Sequence, residues 1–275
     1  MISIEPGENV FAVARKIRGR FESVILFPNS LRVGLEAWLA GIPRRVGFPG
    51  HRRSWLLNQV LRDKKTKIGA PVHQVEHYLR LATFVGAEPA KLKSAAGASR
   101  PAKSTDRIRI GVCPGAEYGP AKRWPADSFA TVIQEVTART AAEWVIFGVE
   151  KDASIAEEIA TKCGVPVDNR VAKTGVKELM EELAGCDLLL TNDTGTMHLA
   201  ALLSVPVVAV FGSTEPALTG PLGSHHRVLR HHVECSPCFL RECPLDFRCM
   251  SAVAPKEAVQ AIQELLAAKT LRGSN

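Results

Sequence analysis

The stretch Leu188-Leu189-Leu190-Thr191-Asn192-Asp193-Thr194-Gly195-Thr196-Met197-His198 holds one strand, one turn and the start of one helix. Leu188, Leu189 and Leu190 are apolar at consecutive positions, the mark of a strand covered on both faces. Asn192 to Gly195 is a polar break. Residues 196–203 then read as a helix whose N-cap is Asp193 or Thr194, a contact worth about 1 kcal/mol. A buried strand running straight into a helix opens a parallel βαβ unit.

The same alternation continues on either side. Apolar, β-rich runs at 108–113, 144–147 and 207–211 alternate with helical segments at 127–139, 151–162 and 176–184. Together they predict a doubly wound α/β domain over residues 107–254, a fold in which ligands bind outside the carboxyl ends of the strands. Residues 255–275 read as a C-terminal helix and tail. The helix, at 255–267, opens on Pro255 and places Val259, Ile262, Leu265 and Leu266 on an apolar face. Upstream, a strand at 23–27 meets the break Pro28-Asn29-Ser30. A helix at 31–40, a short strand at 45–48 and helices at 54–61 and 72–85 follow. These form a smaller domain, residues 1–94, joined to the larger one by residues 95–106. That joining stretch is small, polar and Pro-containing, with nothing to bury, and reads as a linker.

A chain of 275 residues is long enough for two such cores. No apolar run approaches the roughly 18 residues a membrane span needs. The N-terminus has neither a basic segment nor a long apolar one, so no signal peptide is read and the cytoplasm is the expected location. Thirty-five Lys and Arg against 28 Asp and Glu leave a net charge of +7, which favours anionic ligands. The basic residues fall in short groups such as Arg44-Arg45 and Lys122-Arg123 rather than in a stripe. With aromatics at 6% and no recognition motif, nucleic acid is not an expected partner.

Three strand ends carry residues that can meet an anionic ligand. In Cys113-Pro114-Gly115-Ala116-Glu117-Tyr118-Gly119-Pro120-Ala121-Lys122-Arg123-Trp124-Pro125, small residues allow close backbone approach and Lys122 can reach a diphosphate. The same stretch also reads as a surface loop with a solvated Lys-Arg pair. At Thr194-Gly195, the first backbone N–H groups of a helix make an anion site, or the pair only caps that helix. Asp193 suits sugar hydroxyls, since a carboxylate would repel phosphate. His198, one turn further on, contacts a ligand or packs. After the strand at 144–147, Asp152 can hold the two hydroxyls of a ribose or only favour a helix start. A cation, a helix N-terminus and two carboxylates around one crevice fit a nucleoside diphosphate sugar.

Cys113, Cys163 and Cys186 stand among apolar neighbours and read as core residues. Cys235, Cys238, Cys243 and Cys249 are clustered. Their spacing reads first as thiols in a structural loop, with a thiolate zinc site as the alternative.

Residues 114–125 and 191–201, with Phe211-Gly212-Ser213-Thr214-Glu215-Pro216, Cys235-Ser236-Pro237-Cys238-Phe239-Leu240-Arg241-Glu242-Cys243-Pro244, Leu26-Phe27-Pro28-Asn29-Ser30 and Ala40-Gly41-Ile42-Pro43-Arg44-Arg45-Val46-Gly47, closely resemble motifs of the ADP-heptose:lipopolysaccharide heptosyltransferases, glycosyltransferase family 9, in particular its heptosyltransferase II group. The resemblance covers nearly the whole chain. It implies a GT-B-like α/β fold of two Rossmann-like domains, donor binding in the C-terminal one, and neither cofactor nor catalytic metal. Lys122 would then contact the diphosphate, Thr194 and Gly195 the phosphates at the helix start, and Asp193 the heptose hydroxyls. His198 would lie beside the donor and Asp152 would match the ribose carboxylate. The implied reaction is inverting transfer of heptose from ADP-L-glycero-D-manno-heptose to the lipopolysaccharide inner core. Its partners would be that acceptor and, peripherally, the cytoplasmic face of the inner membrane.

The family opens on a strand and a Gly-Asp turn that supplies a proposed general base. That pattern is not found before residue 23, so the N-terminal domain is expected to be incomplete and no base is assigned. Glu117 is a candidate by position alone. Two alternatives stand beside transfer: a sugar-nucleotide-binding protein without catalysis, and a GT-B transferase using another donor.

Overall fold

The computed structural model describes residues 2–5, 7–50, 52–62, 72–88 and 107–273. The chain divides into two units, residues 1–93 and 94–275. The linker expected at 95–106 lies outside the described residues.

The first unit runs α1 (Val10–Ile17), β1 (Ser23–Leu26), α2 (Leu31–Leu39), β2 (Arg44–Gly47), β3 (Gln59–Val60) and α3 (Gln74–Phe84). Its three strands are parallel, in the order β1-β2-β3. Asn9 caps α1 by accepting from the Ala12 N–H at 2.9 Å. Ser30 is the N-cap of α2, so the break after β1 both ends the strand and starts the helix. Ala14, Leu26, Ala37, Ile42 and Leu57 form one small core, and Val46, Phe48 and Leu81 another.

Arg53 is fully buried, has no carboxylate partner among the described residues, and ties the loops together through oxygens. It donates to the Phe48 carbonyl at 3.0 Å, to Asn29 Oδ1 at 3.1 Å and to the Pro28 carbonyl. Burial pulls its pKa below the ordinary arginine value. The helix expected at 54–61 is corrected here: Ser54–Leu56 is a single 3-10 turn and Gln59–Val60 is β3. Gln59 and Val60 pair with Val46 and Gly47 of β2, and this long-range pairing overrides a short apolar run that local periodicity reads as helix.

The second unit runs β4 (Arg109–Cys113), α4 (Ala126–Thr137), β5 (Glu143–Ile146), α5 (Ala153–Cys163), β6 (Val167–Asn169), α6 (Val176–Ala184), β7 (Leu188–Asn192), α7 (Gly195–Leu202), β8 (Val207–Val210), α8 (Pro216–Thr219), β9 (Arg227–Leu229), α9 (Arg248–Ser251) and α10 (Pro255–Gly273). Its six strands, all parallel, lie in the order β6-β5-β4-β7-β8-β9. Counted within the unit this is 3-2-1-4-5-6, the doubly wound order, with its switch point between β4 and β7.

Strand periodicity divides the core in two. Ile110, Val112, Trp144, Ile146, Leu188, Leu190, Val208 and Val210 face α4, α5 and α10, packing on Phe129, Ile133, Ile159 and Ile262. The intervening Val145, Phe147, Leu189, Val207 and Ala209 face α6 and α7, packing on Leu183, Met197 and Ala200. Coverage of both faces is why these strands are apolar at every position. Truncating a fully buried ring such as Phe129 to Ala would cost about 3–5 kcal/mol. Cys113, Cys163 and Cys186 are buried in these two layers and take part in no disulfide. No helix among the described residues is long and apolar enough to cross a membrane.

Candidate functional site

At the switch point the ends of β4 and β7 are fastened by Asn192. Its Nδ2 donates to the Pro114 carbonyl at 2.7 Å, and its Oδ1 accepts from the Trp124 N–H at 3.1 Å. One fully buried amide thus spans both ends of the loop that carries Lys122. Buried Trp124 anchors the far side, donating from Nε1 to the Val253 carbonyl at 3.0 Å.

Lys122 ends a 3-10 turn, Pro120–Lys122. Its Nζ meets Asp193 Oδ2 at 2.5 Å, with the two side chains only 12% and 6% exposed. Thr214, just past β8, donates to the same Oδ2 at 2.7 Å. Among the described residues nothing bonds Oδ1, which leaves one acceptor for a ligand hydroxyl. The reading of Lys122 as a solvated surface lysine is therefore corrected: it is an inward cation balanced by a buried carboxylate.

Thr194 rather than Asp193 is the N-cap of α7, with Oγ1 accepting from the Met197 N–H at 3.4 Å. Gly195 opens the helix and is exposed, and a Cβ placed there would meet no atom within 4 Å. The space beside this helix N-terminus is open, and its N–H groups and dipole favour an anion there. His198 lies exposed one turn into α7.

Asp152 is placed differently from the other candidates. It is buried, accepts from Arg123 Nη2 at 3.0 Å, and closes its own turn by accepting from the Val149 N–H at 3.2 Å. Gly115 makes room for it, since a Cβ on that residue would lie 2.3 Å from Asp152 Oδ2. In this arrangement the carboxylate holds the loop of Lys122 and Arg123, and it would have to turn outward to meet a ribose. Glu117 is exposed and ion-paired with Lys151, which holds its carboxyl below the usual carboxylate range.

The loop after β9 buttresses the lysine loop from outside. Tyr118 donates to the Phe239 carbonyl at 2.8 Å, Arg241 Nε donates to the Tyr118 carbonyl at 2.8 Å, and the Ala121 N–H meets the Arg241 carbonyl at 3.0 Å. Gly119 permits this approach, because a Cβ there would sit 2.3 Å from the Arg241 carbonyl oxygen. Cys235, Cys238, Cys243 and Cys249 line one cavity of about 50 Å³ with Ala121 and Ser213. Burial and the other three thiols raise the pKa of Cys249. Among the described residues, no three His, Cys, Asp or Glu side chains are gathered to hold a metal ion.

Lys122, Asp193, Thr194 and Gly195 are thus brought to one place. The sequence by itself assigns no role to Thr214 or to Asn192. Thr214 stands at a strand end within a quoted motif, a usable signal; Asn192 shows its function only when the two loops are seen together.

The two-unit architecture is that of glycosyltransferases with the GT-B fold. It matches the solved structure of Escherichia coli ADP-heptose lps heptosyltransferase II with a TM-score of 0.71 and 28% identity, over 95% of this chain and 80% of that one. The profile of "Glycosyltransferase family 9 (heptosyltransferase)" matches residues 10–247, and the chain belongs to that family. Among curated relatives, the lipooligosaccharide heptosyltransferase 2 of Haemophilus influenzae is 29% identical over 94% of this chain and 80% of its own length. The lipopolysaccharide heptosyltransferase 2 of Escherichia coli is 32% identical over 77% of this chain and 65% of that protein.

Proposed function

We propose that this family 9 glycosyltransferase moves heptose from ADP-L-glycero-D-manno-heptose to the inner core of lipopolysaccharide, inverting the anomeric centre and using no catalytic metal. The observation that carries the donor assignment is the buried Lys122–Asp193 pair beside the open N-terminus of α7. Lys122 turns its charge to the diphosphate, and Thr194 and Gly195 offer backbone N–H groups to the phosphates. In transfer these groups stabilise the charge that develops on the leaving diphosphate, the role a metal ion fills elsewhere. Asp193, held by Thr214, accepts from heptose hydroxyls through Oδ1, and His198 flanks the sugar. Asp152 is the carboxylate offered to the ribose, on turning away from Arg123.

In its domain organisation, residues 1–94 serve the acceptor side, 95–106 link, 107–254 bind the donor, and 255–275 close the chain as helix and tail. The enzyme works in the cytoplasm, peripherally at the inner membrane. The four-cysteine loop is a structural buttress for the lysine loop, with zinc as the alternative that metal analysis after chelator-free purification decides.

Incubating the chain with ADP-heptose and a heptose-deficient core acceptor tests the reading. Release of ADP together with mass gain on the acceptor is expected. Tight ADP-heptose binding without acceptor gain would favour a binding protein, and preference for another nucleotide sugar would favour a different transferase.

A further inference from the structure

The charge of this protein is unevenly divided. Residues 1–93 hold 16 Lys and Arg against 7 Asp and Glu, whereas the rest of the chain holds 19 against 21. The excess of +7 therefore resides wholly in the first unit. A like-signed field of this kind, carried on one unit of the chain, is a feature of contact with an extended anionic partner rather than with one small ligand.

The first unit also exposes tryptophan. Trp38 and Trp55 are 45% and 65% exposed, and their rings meet edge to face at 6.0 Å. Leu31, seven residues before Trp38 on α2, is exposed on the same helix face, while Gly34, Glu36 and Ala37 are buried. The two rings are thus a contiguous patch on the surface of this unit, not scattered residues.

Cationic groups flank the patch at both rings. Arg18 donates to the carbonyl of Leu39, the residue after Trp38, at 2.9 Å. Arg45 donates to the carbonyl of Leu56, the residue after Trp55, at 2.6 Å. Both guanidinium groups make their bonds to carbonyl oxygens, which satisfy N–H groups without cancelling the charge. Arg52, three residues before Trp55, is exposed.

From this juxtaposition we infer that the Trp38–Trp55 face of the first unit docks on a lipid bilayer carrying anionic headgroups. Indole rings partition to the boundary between headgroups and acyl chains, having an apolar body and one N–H donor. Arginines beside them then lie at phosphate level, where each is worth about a fivefold gain in partition. The inference deepens the proposed transfer to a lipid-anchored acceptor, although the surface itself stands on exposure and charge alone.

Sedimentation of the full chain with phosphatidylcholine vesicles, with and without phosphatidylglycerol, tests it. Binding should be at least about tenfold tighter to the anionic vesicles and should weaken with salt. Trp38→Ser with Trp55→Ser should lower that binding about tenfold or more, with ADP-heptose affinity unchanged. Arg18→Gln with Arg52→Gln should erase most of the preference for anionic vesicles. Equal binding to the two vesicle types overturns the proposal, as does equal binding by the chain with and without its two tryptophans. If the tryptophan variant abolishes self-association and the unaltered chain ignores vesicles, the face joins two copies and the proposal fails. Absence of vesicle binding by the unaltered chain, with its transfer to a detergent-solubilised core acceptor intact, defeats the docking face alone. Retained vesicle binding without ADP-heptose affinity defeats the proposed function alone.

Discussion

Lys122→Met should destabilise the second unit, and adding Asp193→Asn to it should restore most of the loss. The ammonium and carboxylate meet at 2.5 Å with side chains 12% and 6% exposed, so either charge left alone is poorly hydrated. A hydrogen bond to a charged group contributes about 1.5–3 kcal/mol, and breaking a fully buried pair costs about 3–5 kcal/mol. The remaining exposure of Lys122, and the Thr214 hydroxyl still on Oδ2 at 2.7 Å, bring the expected cost to about 2 kcal/mol. For a unit of this size that is a fall in Tm of about 4–8 °C. In the double variant no charge is stranded, and the amide oxygen introduced by Asp193→Asn can still accept from Thr214. With each single variant down about 2 kcal/mol and the double variant down by less than about 1 kcal/mol, the two single losses should together exceed the loss of the double variant by about 3 kcal/mol. Urea unfolding read from Trp124 and Trp144 reports on the right unit, because both rings are buried there. Single-variant losses that simply add, within about 0.5 kcal/mol, would refute a buried, mutually dependent pair. The same Lys122→Met protein should bind ADP about 10–100-fold more weakly.

Other perturbations separate roles within the site. Asp193→Ala releases Lys122 while deleting the hydroxyl acceptor, so calorimetry should show ADP-heptose affinity falling about tenfold more than ADP affinity; equal losses would reduce Asp193 to a partner for Lys122. Gly195→Ala places a Cβ in open space at a helix start, so the melting temperature should hold or rise slightly while donor affinity falls about tenfold; unchanged affinity means no ligand occupies that space. Burial, reinforced by neighbouring His225, pulls the pKa of His226 down to about 4, and its Nδ1 accepts from the Val207 N–H at 3.2 Å. The unfolded chain takes up that proton near 6.5 and the folded chain only near 4, so stability should decline as pH drops through this window. His226→Gln should flatten the decline in pH-dependent urea midpoints, and an unaltered slope would place the titration on another group.

Much of the architecture is written locally. The runs at 108–113, 144–147, 188–191 and 207–211 became β4, β5, β7 and β8 within a residue or two, because a strand covered on both faces must be apolar throughout. The break at 28–30 ends in a helix cap, Ser30, and of the two cap candidates at the later helix the structure uses Thr194, since capping depends on a side chain reaching a backbone N–H within the same turn. Short elements escaped. β6, β9 and β3 have three, three and two residues, too few to show a period, and exist because a neighbouring strand holds them.

Periodicity also says nothing about which strand lies beside which. The order β6-β5-β4-β7-β8-β9 brings Lys122 to Asp193 across 71 residues and thereby turns a loop lysine into a buried cation. Asp152 shows another outcome: its place after a strand and the family resemblance offered it to a ribose, whereas in the fold it meets Arg123 in the space left by Gly115. Residue types and their spacing determined the chemistry available at each strand end, because they act within one turn of chain. Only the packing of the sheet decided which of those groups meet, because burial and pairing are set by elements distant in sequence.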